Sequence, residues 1–243
     1  MPSQQSWFSQ GSIRKALKPG KSIALTKPEP TEWKILEAID EHNFQFSEEI
    51  VQRDSCVSYA SIKLSCIEAS NPSKRAIMRV YMQVPYDNTE LEDLPTRAQQ
   101  ATTFRPKELT ALLTLRTSAY APSLLGYDEC RQGTTGLVPG GFLTFLVWEI
   151  VPGLCLGDQY REGTIFWHRL NREERDMVRE AFQKTLVEIT KMDPFLVGFR
   201  DWGKVPPQAF KTTWLPLVGL VKTPASSRWS DHDWNGDTSR WEL

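Results

Sequence analysis

The stretch that most constrains this chain is Phe142–Asp158, FLTFLVWEIVPGLCLGD. It opens as an apolar run of aromatic and branched residues, bounded upstream by Gly140-Gly141, and this is the pattern of a buried strand. At Trp148-Glu149 the run stops and passes into Val151-Pro152-Gly153, a turn that proline and glycine make without strain. A strand that leaves one unit through a short connector predicts a chain in two parts with a hinge between them. The cleft beside such a hinge is a natural ligand site. The competing reading is a core strand followed by a surface turn.

The flanking patterns extend this. Ser61–Ile67 alternates with Ile62, Leu64 and Cys66 on one face, and Ala76–Gln83 alternates with Ala76, Met78, Val80 and Met82 on one face. The polar turn between them, Ala69–Lys74, contains Asn71-Pro72, so the two runs predict a β-hairpin. Upstream, Trp33–Ile39 reads as a short amphipathic segment and residues 40–60 as polar and irregular. Residues 86–103 read as an acidic, polar loop. Pro106 suits the first turn of a helix, and Lys107–Arg116 places Leu109, Leu112 and Leu113 on one face. Tyr120–Tyr127 reads as a short strand. The glycine-rich loop 128–141 has no G-K-[ST] and reads as a hairpin connection rather than a phosphate loop. Arg172–Lys191 carries the most regular apolar stripe, from Met177 and Val178 to Leu186 and Ile189. Phe195–Phe199 is a further strand candidate. The remainder reads as an irregular wrap or frayed tail.

Three parts follow: a disordered tail over 1–30, a sheet-rich part over 31–150, and a part over 151–243 that starts with the connector. The tail is rich in Ser, Gln, Lys and Pro and has no acid before Glu29. Disorder is the expectation there, with a mitochondrial presequence as the alternative. Across the 243 residues the formal net charge is −1, which gives no reason to expect a nucleic acid or a membrane surface as partner. No apolar run is long enough to span a bilayer. Cys56, Cys66, Cys130 and Cys155 show no paired spacing, so reduced thiols in a cytoplasmic protein are expected.

The order hairpin, helix, strand, strand, connector, long helix, strand resembles the protein-kinase-like fold, and specifically the divergent kinase-like proteins of filamentous fungi. The resemblance covers about Ser61–Gly203. LVWEIVPG, residues 146–153, is similar to a kinase hinge, which implies Trp148 as gatekeeper and the backbones of Glu149 and Val151 facing an adenine edge. AIMR, Ala76–Arg79, is similar to the V-A-I-K of the third strand. KELTALLTL is similar to the helix whose glutamate pairs with that lysine, which implies Glu108. FLVGFRDWG is similar to the strand ending in D-F-G. The metal-binding aspartate then falls on Asp201 in one register, while a D-F-x-D-W register puts Gly198 there. The implied fold is α+β and protein-kinase-like: an antiparallel N-lobe sheet with one helix, a hinge, and a reduced helical C-lobe. The implied ligand is ATP with Mg²⁺.

The departures from the pattern decide the expected activity. Phosphoryl transfer is positioning plus charge neutralisation and needs specific parts. No glycine occurs between Gly20 and Gly126, so the loop over the phosphates is absent. Arg79 stands in place of the lysine, and its planar fork does not reproduce a point ammonium. Ile77 replaces a small residue bordering adenine. Nothing between Glu188 and Asp201 fits H-R-D-x-x-x-x-N; Lys191-Met192-Asp193 is the nearest, with Gly198 at the asparagine position. The expectation is a degenerate, truncated, pseudokinase-like module that binds a protein partner or regulates a pathway. The alternatives are an atypical ATP-dependent phosphotransferase and an accessory protein of fungal specialised metabolism. Away from the resemblance, Arg79 and Glu108 read equally as surface charges and Trp148 as a core aromatic.

A separate pattern lies at Asp231–Glu242, DHDWNGDTSRWE, which fits D-x-[DN]-x-[DN]-G-x₅-E. Asp231, Asp233, Asn235 and Glu242 would supply oxygens to Ca²⁺ and Gly236 the sharp turn. The preceding PASSRWS is not helical, and Thr238 stands where an aliphatic residue is usual. A solvated acidic tail is the expectation, with a calcium loop as the alternative.

Overall fold

Alternation of apolar and polar residues sets the framework. In the structure, a computed structural model that describes residues 6–11, 13–152, 164–192, 215, 220–224 and 239–241, the hairpin forms from β3 (Tyr59–Glu68) and β4 (Arg75–Gln83). Leu64 pairs with Met78 and Ile62 with Val80, and these side chains line one buried face. The Asn71 turn closes the hairpin, with the Lys74 N–H donating to Asn71 O at 2.9 Å.

Six strands make one antiparallel sheet in the order β1-β2-β3-β4-β6-β5. The remaining strands are β1 (Ser22–Leu25), β2 (Thr31–Phe44), β5 (Leu124–Arg131) and β6 (Phe142–Glu149). β6 is the apolar run singled out above and lies between β4 and β5. The sheet curls until its first and last strands meet. Just past β1, Lys27 and Tyr127 exchange backbone hydrogen bonds of 3.3 and 2.7 Å. Beside them, the Thr26 N–H and hydroxyl donate to the Asp128 carboxylate at 2.8 and 2.5 Å. Gly126 sits at this seam because a Cβ there would come within 2.9 Å of Thr31 Oγ1 and 3.0 Å of Leu25 Cδ1.

The expected architecture is therefore corrected. The described residues form a nearly closed six-stranded antiparallel barrel-like sheet with few helices, not a kinase-like N-lobe sheet with a helical C-lobe. The physical cause is β1, which extends the β2 edge and carries the chain round to β5. Closure removes the exposed edges that an open sheet must otherwise protect. A second correction concerns residues 1–30. Where a disordered tail was expected, a 3₁₀ turn (Trp7–Ser9), helix α1 (Ile13–Ala16) and β1 form. Trp7, Phe8, Ile13, Leu17 and Leu25 join the main core with Trp33, Ile35, Met78 and Val80. Residues 40–60 are also more regular than expected: β2 continues to Phe44, and helix α2 (Glu48–Asp54) follows.

Two further helices belong to this part. Helix α3 (Leu94–Ala98) is capped by Asp93, whose carboxylate accepts from the Thr96 N–H at 2.8 Å. Helix α4 (Lys107–Thr114) buries Leu109, Ala111 and Leu112. The chain divides into two compact units, one of residues 1–116 and 121–151, the other of residues 117–120 and 152–243. In the second unit, α5 (Thr164–Arg169) and α6 (Arg172–Met192) are the described helices. Phe166, Leu215, Leu220, Val221 and Trp241 form its cluster. Arg179 of α6 is buried there, donating from Nε to Leu220 O at 2.9 Å and from Nη1 to Asp176 at 2.6 Å. Burial pulls the Arg179 guanidinium below its ordinary range, against the opposing pull of Asp176.

Candidate functional site

The alternation of β4 gives it two unlike faces. Ala76, Met78, Val80 and Met82 enter the main core. Ile77, Arg79, Tyr81 and Gln83 point to the opposite face, where α4 covers the sheet and Leu112 packs with Tyr81, Phe142 and Leu146. Glu108 lies in the first turn of α4 and so faces Arg79.

The structure brings these two residues together. Arg79 Nη1 donates to both Glu108 oxygens, at 3.1 and 3.0 Å. The Tyr81 hydroxyl donates to Glu108 Oε2 at 2.7 Å. The Arg79 side chain is 14% exposed and that of Glu108 15%, so the pair is largely withdrawn from water. The Arg79 guanidinium also stands 5.5 Å from the centre of the Trp148 ring, a cation–π contact worth ~0.5–2 kcal/mol.

The electrostatics follow from this geometry. Burial works against the charge on Arg79, but Glu108, Tyr81 and Asp40 outweigh it, and its pKa rises. The Tyr81 phenol is also pushed up, first by burial and then by the Glu108 carboxylate, with Arg79 opposing. Tyr81 therefore remains a neutral donor and Arg79 remains a cation. Between them they engage both carboxylate oxygens of Glu108. Such a cluster is well suited to fixing a helix on a sheet. All three of its N–H and O–H contacts converge on one carboxylate, that of Glu108.

The other residues implied by the resemblance fall in different surroundings. Trp148 is half-buried on β6, opposite Ile77 of β4 and Leu124 of β5. The Glu149 N–H donates to Ser123 O at 3.1 Å, and its Oε1 accepts from the Ser123 N–H at 2.9 Å, so this residue ties down the segment entering β5. Val151 is exposed at the end of the first unit. Asp201, Asp231, Asp233, Asn235 and Glu242 lie outside the described residues. Among the described residues no group of three or more His, Cys, Asp or Glu could hold a metal ion. No described helix is long and apolar enough to cross a membrane.

Tyr81 is the member of the cluster that motif reading missed. Its signal was present, since Arg79 and Tyr81 are two apart in an alternating strand and must share a face. No family model matches this chain, and no curated protein matches it by sequence.

Proposed function

We propose that this chain is a non-catalytic binding or regulatory module with a protein partner, and that it does not transfer phosphate. The observation that carries the reading is the self-contained circuit of Arg79, Glu108 and Tyr81. A phosphotransferase keeps a cation available for phosphate oxygens and a carboxylate available for metal or for a proton. Here the cation is an arginine whose Nη1 bonds both oxygens of Glu108, and Trp148 stands against its guanidinium. The absence of glycine between Gly20 and Gly126 removes the backbone cradle that would hold the phosphates.

A diverged relationship to the fungal protein-kinase-like proteins belongs to the same proposal. It is supported by the order of motifs along the chain and by the meeting of Arg79 with Glu108. A cytoplasmic location is also part of this reading, supported by the free thiols of Cys56, Cys66 and Cys130.

The test is incubation of the purified full chain with Mg-ATP, with phosphate followed by mass spectrometry on the chain itself, on generic protein substrates and on small-molecule acceptors. The expected result is no transfer above a protein-free blank. Sustained turnover that Arg79→Ala abolishes would overturn the reading.

A further inference from the structure

At the end of the sheet where Phe44 pairs with Tyr59, the first unit carries a groove of about 790 Å³. Its walls include Trp7, Phe44, Phe46, Asp87, Glu90 and Leu91. Leu91 is 100% exposed and Phe44 41% exposed, so two large apolar side chains stand in water at one site. A fully exposed leucine on a slack loop would mean little. This loop is held. Asp87 N–H donates to Phe46 O, and Gln45 Nε2 bridges Pro85 O at 3.1 Å and Glu90 Oε1 at 2.6 Å. Gln100 accepts from the Tyr86 N–H at 2.9 Å and donates to Thr89 Oγ1 at 2.9 Å. The leucine is thus presented on a pre-organised backbone, which lowers the ordering cost of binding.

The charge at the groove has one sign. Asp87, Glu90, Glu92 and Asp93 fall within one short loop, and no Lys or Arg occurs between Arg79 and Arg97. Among the described residues, the Asp87 carboxylate takes part in no hydrogen bond or ion pair, and the bond to Glu90 comes from the neutral amide of Gln45.

We propose that this groove docks a short segment of a partner protein in which an apolar anchor residue is flanked by lysine or arginine. The anchor packs against Leu91 and Phe44, and the cations pair with Asp87 and Glu90. Acidic rims around an apolar contact favour a basic partner through complementary charge and reject an acidic one. The inference deepens the reading of the chain as a protein-binding module and rests on it.

The test is selection of a displayed library of random short peptides on the full chain, followed by affinity measurement for the enriched sequences by fluorescence anisotropy. Enriched peptides are expected to combine Lys or Arg with a large apolar residue and to bind more weakly as salt is raised. Leu91→Asp, and separately Asp87→Lys, are expected to weaken binding roughly tenfold or more with the melting temperature held. Enrichment of neutral or acidic peptides, no enrichment at all, or affinity unchanged in both variants would overturn the proposal. Dimerisation of the chain that Leu91→Asp abolishes would assign the groove to a second copy and would overturn it too. The outcome separates from the phosphate assay. Turnover together with basic-peptide binding sinks only the functional reading, and neither turnover nor binding sinks only the groove.

Discussion

The two faces of β4 are both withdrawn from water, yet they are built from opposite materials. On the inner face Ala76, Met78, Val80 and Met82 meet Leu64, Cys66 and Phe145 in a wholly apolar core. On the outer face Arg79 and Tyr81 meet Glu108 of α4, with aromatic rings around them. Phe44, Tyr59, Phe104 and Phe142 continue that outer face as a chain of ring contacts 5.0–5.6 Å apart. The difference teaches what each face does. The inner face supplies non-directional burial and so tolerates repacking at constant volume. The outer face fixes one helix in one register through bonds that need particular partners. Its ions must be matched because an unpaired, desolvated charge is expensive.

The largest effect is expected on the inner face. Trp33 is fully buried, and its Nε1 donates to Thr31 Oγ1 at 3.0 Å. Trp33→Ala should cost about 3–5 kcal/mol in urea unfolding, through lost transfer energy and an unfilled cavity. A cost below that of any outer-face change would invert the comparison. Next comes Glu108→Ala, which leaves Arg79 largely buried without its carboxylate. A loss of about 2–3 kcal/mol is expected, discounted for residual exposure. Gly126→Ala tests the seam rather than either face. The added methyl meets Thr31 and Leu25, and overpacking of about 1–2 kcal/mol should appear in the same denaturation experiment.

The smallest effect is in stability against pH, and it sharpens the description of the core. Burial pushes the Cys66 thiol up to about 12, from its ordinary value of 9.0. The folded thiol therefore keeps its proton where the unfolded one loses it. Its contribution to stability is complete below pH 9.0 and declines as pH rises toward about 12. Near neutral pH, thiol-reactive probes should label exposed Cys130 ahead of Cys66, slowed by the partial burial and the Asp128 carboxylate that raise the Cys130 thiol, and should leave Cys66 untouched until the chain unfolds. Peptide mapping by mass spectrometry reads both rates.

Where the local pattern and the tertiary packing agree, the sequence was legible. The β3–β4 hairpin and β6 were visible because alternation, turn chemistry and burial all point the same way. The helix expected over Arg172–Lys191 was visible from its helical period, although Met177 of the expected stripe is exposed and Arg179 is the buried side chain. β2 was not visible beyond Ile39. Register shifts between Ile35 and Glu37 and between Ala38 and Asp40 break the period of two, and its far half is polar. The first 25 residues hid their role differently. Trp7, Phe8, Ile13 and Leu17 follow no single period because they come from a turn and a short helix. Their burial depends on a sheet that only tertiary packing creates. That omission is also why an open, kinase-like sheet was expected, since the closing strand lies in the stretch read as disordered. In the site, Arg79 and Glu108 could be named from resemblance alone, whereas the loop presenting Leu91 was read only as acidic and polar, with no role for its leucine.

The central claim is that the Arg79–Glu108–Tyr81 circuit is structural. A double-mutant cycle in a Tyr81→Phe parent, which leaves no hydroxyl orphaned, tests it most directly, with Arg79→Met and Glu108→Leu made singly and together and unfolding measured in urea. The account predicts that each single change costs about 2–3 kcal/mol, while the double variant returns to within about 1 kcal/mol of the parent because no charge is left unmatched. Single changes that leave stability untouched but remove a Mg-ATP-dependent thermal shift or phosphate turnover would contradict it.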